Sequence, residues 1–240
     1  MRKATRAIRA RKGAAVAASA TVRDRRGEIL QIAARRFAEY GYESTTIREL
    51  ADDAKILSGS IYHHFATKDE ILHEIVREPV LQLRDETIRI SRAPVDAEHR
   101  LIAVILLHLG ELTRDQDVHA ILYNERQFFR GNPDFEYVAQ ARGEMYLGWR
   151  AIFEDGVRAG LFRADVDPFL SVSTIIRMIN TCADWFKPHG VYPLESGRNY
   201  QLDQVIDFNL DFVLSAIRTP ERAGAPIPRG ECEALARRAE

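Results

Sequence analysis

The sequence predicts an all-α protein in two parts, a small N-terminal domain of short helices and a larger domain of long ones. Three observations predict it. Apolar residues recur at helical spacing from Ile29 onward, with no alternating run that would make a strand and no internal repeat. Helix-capping signals crowd the stretch before Pro79, whereas turn signals after it lie far apart. The 240 residues, 46% of them hydrophobic, suffice for one small and one medium core.

The first helix starts at Arg25 and carries Ile29, Ile32, Ala33, Phe37 and Tyr40 to Gly41, which sits where a left-handed cap belongs. Ser44, Thr45 and Thr46 offer N-caps for a short second helix through Asp53, and Glu49, three residues after Thr46, completes a capping box. A turn covers 54–57. Leu57 or Ser58 opens a third helix to about His64, and Thr67 with Glu70 starts a fourth that ends or kinks at Pro79. Two short helices joined by a tight turn and braced by a longer one make the helix-turn-helix plan, over residues 25–78.

Longer helical segments follow over 80–92, 96–114, 117–130, 134–159, 167–187 and 199–218, separated by turn chemistry such as Asn132-Pro133, Gly160 and Asp167-Pro168. They form a second domain, residues 79–218. The tail 219–240, with Pro220, Gly224, Pro226, Pro228 and Gly230, reads as disordered, with a frayed turn open to Cys232–Arg238.

Net charge is −1, but residues 1–26 carry nine Lys or Arg against Asp24 alone. Residues 1–24 therefore read as a flexible basic arm, suited to a polyanion or merely to solubility, with Arg23, Arg25 and Arg26 beside the first helix the better candidates for contact. No apolar run approaches the about 20 residues of a membrane span, and Ala14–Ala20 is too short for a signal-peptide core, which predicts a soluble cytoplasmic protein. Cys182 and Cys232 are far apart and read as ordinary thiols. No phosphate-binding loop, nucleophile elbow or zinc-protease motif occurs, so neither catalysis nor a cofactor is expected. His108, Glu111, Asp115 and His119 could share one helix face and a metal, but Asp115-Gln116-Asp117 reads as a helix junction that breaks the alignment.

The third helix turns Ile61 and Phe65 inward and leaves small, polar and aromatic groups outside. That face suits DNA. Ser58, Gly59 and Ser60 let a backbone approach the major groove, and Tyr62, His63 and His64 can reach phosphates or base edges. Thr46 and Lys68, each at a helix N-terminus, add phosphate contacts. Partial burial of Tyr62 and His64 as packing residues is the alternative.

Ala33-Ala34-x-x-Phe37-Ala38-Glu39-x-Gly41-Tyr42-x-x-Thr45-Thr46-Ile47-Arg48-Glu49-Leu50-Ala51, followed by Ser58-Gly59-Ser60-Ile61-Tyr62-His63-His64-Phe65-x-x-Lys68, resembles the DNA-binding domain of TetR-family repressors over residues 25–78. The resemblance implies Thr46, Ser60, Tyr62, His63, His64 and Lys68 at operator DNA, with Tyr62 and Lys68 on phosphate. Lys55 departs from it, standing where the family commonly has Gly, and so does Leu57, where the family commonly has Ser; Ser58 is then the expected cap. The resemblance further implies a homodimer paired through the last two helices. In the final one Leu202, Val205, Ile206, Leu210, Val213 and Ile217 make an apolar stripe that is partly core and partly available for pairing.

Trp185-Phe186-Lys187-Pro188 with Gly190 is similar to an element of TetR relatives that sense acyl-CoA thioesters and control lipid or steroid breakdown, as is the run from Ile56 to Phe65. Such an effector needs a mainly apolar pocket, for which Phe128, Tyr146, Trp149, Phe153, Arg177, Asn180, Thr181 and Trp185 are the candidate lining, although core packing accounts equally well for each aromatic. The reading is a ligand-responsive repressor released from a palindromic operator. Its alternatives are a ligand-independent DNA binder or activator, and a helical small-molecule carrier or interaction protein.

Overall fold

The computed structural model describes residues 25–186 and 200–237; the basic arm and Lys187, Pro188 and Gly190 lie outside them. The described residues are helical apart from turns and one isolated β-bridge between Phe162 and Arg218. The chain divides between Val76 and Arg77 into two compact units, two residues before the boundary expected from sequence.

The first unit contains α1 (residues 25–40), α2 (Ile47–Asp53), α3 (Ser58–Ile61) and the start of α4 (Lys68–Ser91). Its core is made by Ile29, Ala33, Phe37, Tyr42, Leu50, Ile61, Phe65, Ile71 and Leu72, all buried. Gly41 ends α1 at φ 88°, and Thr46 with Glu49 forms the expected capping box. α2 ends in a Schellman motif. The amide of Ile56 donates to Ala51 O at 2.9 Å and that of Lys55 to Asp52 O at 3.1 Å. The motif puts its left-handed residue at Lys55, φ 55°, which is why glycine is the common residue there.

Three expectations are corrected here. α3 stops at Ile61 and continues only as turns to His64, and its N-cap is Leu57 with no side-chain bond, so Ser58 does not take the cap. α4 runs unbroken through Pro79 for 24 residues, merging with the segment expected at 80–92. Proline removes one helical hydrogen bond, but Ile71, Leu72, Ile75, Val76, Val80, Leu83 and Ile90 continue one buried stripe on both sides of it, and packing prevails over the local breaker.

The second unit is built around α5 (Ala97–Arg114), whose residues from Leu101 to Leu107 and Leu109 are all buried because α6, α8, α9, α10 and α11 pack on it. α6 (Gln116–Asn124) and α7 (Arg126–Gly131) replace the single helix expected at 117–130, parted at Glu125. A short 3-10 turn (Pro133–Phe135) leads to α8 (Glu136–Arg158), and α9 (Pro168–Trp185) and α10 (Leu202–Ile217) complete the large helices. Asp115 is the junction of α5 and α6, as its flanking acids suggested.

Among the described residues the tail has regular structure beyond the frayed turn expected at 232–238, so the expected disorder is corrected for 219–237. It forms a 3-10 turn (Pro220–Arg222) and α11 (Arg229–Ala236), which packs on α5 with Cys232 buried. Ion pairs and hydrogen bonds fasten it: Arg229 reaches Asp203 and Asp207 of α10, and Arg89 donates to the carbonyls of Leu235 and Arg237 at 2.7 and 3.1 Å. Proline-rich composition had hidden a segment whose order comes from tertiary contacts.

Candidate functional site

The first unit presents the nucleic-acid face. Thr46, Gly59, Tyr62 and His63 are exposed, and Ser58, Ser60 and His64 are half-buried. Tyr62 keeps 57% of its surface exposed, which sets aside the packing alternative for it. An added Cβ on Gly59 would meet nothing within 4 Å, so no internal contact of the fold requires glycine there. Thr46 shares its hydroxyl with Glu49 inside the capping box, and those bonds, from the Thr46 amide first, then its hydroxyl, then Arg36, hold the Glu49 carboxyl down at about 2.

Lys68, expected at phosphate, is held within the fold. Its ammonium donates at 2.8 Å to the carbonyls of both Tyr42 and Thr45 and lies 4.3 Å from the Tyr42 ring centroid. Exposed cations that the motif reading passed over are Arg48, in the first turn of α2, and Lys55; neither pairs with a carboxylate among the described residues. Their signal was positive charge on an otherwise matched motif.

The second unit holds a cavity of about 490 Å³, walled by α4, α5, α6, α7, α8 and α9. Val80, Leu83, Leu122, Phe129, Met145 and Ile176 supply apolar surface. Four of the eight expected residues line it: Tyr146, Trp149, Arg177 and Asn180. The other four do not. Phe128 packs on Phe129 and Phe135, Phe153 on Phe162, Trp185 on Phe186, and the Thr181 hydroxyl donates to Met178 O at 2.9 Å. Each belongs to a helix that borders the cavity but faces a neighbour instead. Arg177 is exposed and Asn180 half-buried.

Sequence reading missed the cavity's charge. Arg126, Arg130 and Arg142 join Arg177 in its lining, which contains no carboxylate, and no carboxylate pairs with any of the four among the described residues. Arg142 donates to Leu122 O; burial, then the charges of Arg126 and Arg130, push its guanidinium down to about 10, still cationic at neutral pH. The available signal was Arg126 and Arg130 one helical turn apart with no acid beside them on that face.

His108 and His119, weighed above as metal ligands, both line the cavity, and among the described residues no three potential ligands cluster. The Thr87 hydroxyl donates to Leu83 O at 2.7 Å and lies 3.0 Å from His108 Nε2. Burial, then the charge of Arg142, push His119 down to about 4, leaving a neutral ring. His119 Nε2, Tyr146 Oη and Trp149 Nε1 are buried with no hydrogen-bond partner among the described residues. An unpaired buried group costs about 1–3 kcal/mol, and such a cost concentrated in one cavity points to function.

Residues 29–75 match the family described as bacterial regulatory proteins, tetR family, and residues 94–203 match the tetracyclin repressor-like C-terminal domain. The chain is 32% identical over 183 residues to the HTH-type transcriptional repressor KstR2 of Rhodococcus jostii, covering 76% of this chain and 90% of that one. The structure of the ketosteroid transcriptional regulator KstR2 of Mycobacterium tuberculosis superposes with a TM-score of 0.73 at 31% identity, over 81% of this chain and 95% of that one. AibR, solved with isovaleryl coenzyme A and operator DNA, shares the fold at TM-score 0.65 and 21% identity, over 80% of this chain and 99% of that one. No helix among the described residues is long and apolar enough to cross a membrane. With the helix-turn-helix unit, the helical second unit and these relatives together, the chain belongs to the TetR family of bacterial transcriptional repressors.

Proposed function

We propose that this repressor acts in the cytoplasm, without catalysis, as a homodimer on a palindromic operator, and that an acyl-CoA thioester in the second-unit cavity releases it. The observation that carries the effector class is the pairing of an apolar cavity with four arginines and no carboxylate. An acyl chain suits the first and coenzyme A phosphates the second. That AibR was solved with a coenzyme A thioester and operator DNA supports the class. A ligand-independent binder needs no such cavity.

Pairing is supported by α10. Val205, Ile206, Leu210, Val213 and Ile217, expected to serve both purposes, are buried within the subunit. Phe208 and Phe212 stack on the other face with 66% and 56% of their surface exposed, and Phe169 and Leu170 are exposed on α9. Apolar surface of this kind suits an isologous four-helix contact. Two copies then carry two α3 segments to the half-sites of a symmetric operator.

Release requires that the ligand favour a conformation with lower operator affinity. α4 supplies Lys68 and the buried Ile71 and Leu72 to the first unit and Val80 and Leu83 to the cavity wall, so one continuous helix belongs to both. The test is binding to the intergenic DNA upstream of its own gene, at two salt concentrations, with and without a panel of acyl-CoA thioesters. Selective binding relieved by a thioester is expected. Salt-sensitive binding to any DNA, indifferent to every thioester, overturns the proposal.

A further inference from the structure

Part of the cavity's polar lining lies along α8. Arg142, Tyr146 and Trp149 stand at i, i+4 and i+7, one face of the helix, and all three line the cavity. Arg142 marks the charged end, with Arg126 and Arg130 beside it. Tyr146 Oη and Trp149 Nε1, farther along, are buried and have no partner among the described residues, and the same holds for Nε2 of His119 on α6. At 1.5 Å per residue, the span from Arg142 to Tyr146 is about 6 Å, and to Trp149 about 10 Å.

A plain hydrocarbon chain against these atoms leaves all three unsatisfied. An indole N–H can only donate, and a phenol donates readily, so the group that completes them is an acceptor oxygen. The neutral His119 ring adjusts by tautomer, donating to a ketone or accepting from a hydroxyl. Resting on the effector reading of this cavity, we infer that Tyr146, Trp149 and His119 determine specificity. The effector carries a ketone or hydroxyl oxygen on its apolar body. A site built to hydrogen-bond an oxygen rejects the analogue lacking it far more strongly than an apolar pocket rejects a missing methylene.

The test uses the full chain and two probes, octanoyl-CoA and its omega-1 ketone, titrated calorimetrically and assayed for release of operator DNA. The ketone is expected to bind at least about tenfold more tightly. Tyr146→Phe and Trp149→Phe should each erase most of that preference. Unliganded Tyr146→Phe should melt no lower than the parent, because it removes an unpaired hydroxyl and keeps the ring. Equal affinities, or a preference that survives both substitutions, overturn the inference and leave the acyl-CoA reading standing. If neither thioester binds nor releases DNA, both fall.

Discussion

The ammonium of Lys68 donates to the backbone carbonyl of Thr45 at 2.8 Å, and with the equal bond to Tyr42 it closes the loop between α1 and α2 onto the start of α4. These bonds suit a positioning role for Lys68 in the helix-turn-helix, as against the contact with a DNA phosphate expected from sequence. Lys68→Met, which keeps the apolar stem, should destabilise the chain by about 1–2 kcal/mol and weaken operator binding. The slope of log affinity against log salt should stay unchanged. A phosphate contact predicts instead a slope reduced by about 1 with no loss of stability, and that result would exclude the clamp.

Gly59 has open space around its missing Cβ, so the folded chain itself would admit a methyl group there. Gly59→Ala should leave the melting temperature within experimental error and lower operator affinity at least about tenfold, as measured by fluorescence anisotropy. In the same assay Tyr62→Ala should weaken binding across sequences, whereas Ser60→Ala and His63→Ala should change which sites are preferred. Sequence-blind effects of all of them would remove α3 from the groove.

The helix-turn-helix was legible because its signals are local. The Thr46–Glu49 box and the left-handed Gly41 sit within a few residues of the atoms they satisfy. What escaped depends on distant partners. Pro79 reads as a stop until the stripe of buried residues on both sides of it is seen, and the tail reads as disordered until Arg89 and Arg229 are seen to fasten it. Periodicity also ranks apolar faces without saying which one the subunit fills. It therefore favoured Val205 and Val213 for pairing over the exposed Phe208 and Phe212, and it was blind to arginines facing a cavity.

Gly156 faces Phe162 so closely that an added Cβ would lie 2.1 Å from the ring. Phe162 is buried against Phe153, with centroids 5.3 Å apart, and has no room to retreat. Gly156→Ala should destabilise the second unit by about 1–3 kcal/mol despite alanine's better helix propensity. Urea denaturation gives the sign directly, and a stabilised variant would refute the packing described for α8.

Glu98 and Arg218 form a salt bridge at 2.7 Å, and both side chains are almost wholly buried. Arg218 also donates to Ala225 O at 2.6 Å, and Arg222 approaches the same carboxylate at 3.3 Å, so the pair anchors the chain leading to α11. Burial raises the affinity of the Glu98 carboxylate for protons, but the bonds and charges of Arg218 and Arg222 outweigh it and hold the group below its ordinary 4.5. Unfolding therefore takes up a proton on acidification. The pair's stabilisation is complete above pH 4.5 and is lost as pH falls through the lower folded value. Glu98→Gln leaves a buried guanidinium unbalanced and should cost about 3–5 kcal/mol at neutral pH. Glu98→Leu combined with Arg218→Met should recover most of that, since it removes both charges. Melting curves from pH 7 down to 3 should fall less steeply for the double variant than for the parent. Parallel curves would mean that the acid sensitivity resides elsewhere.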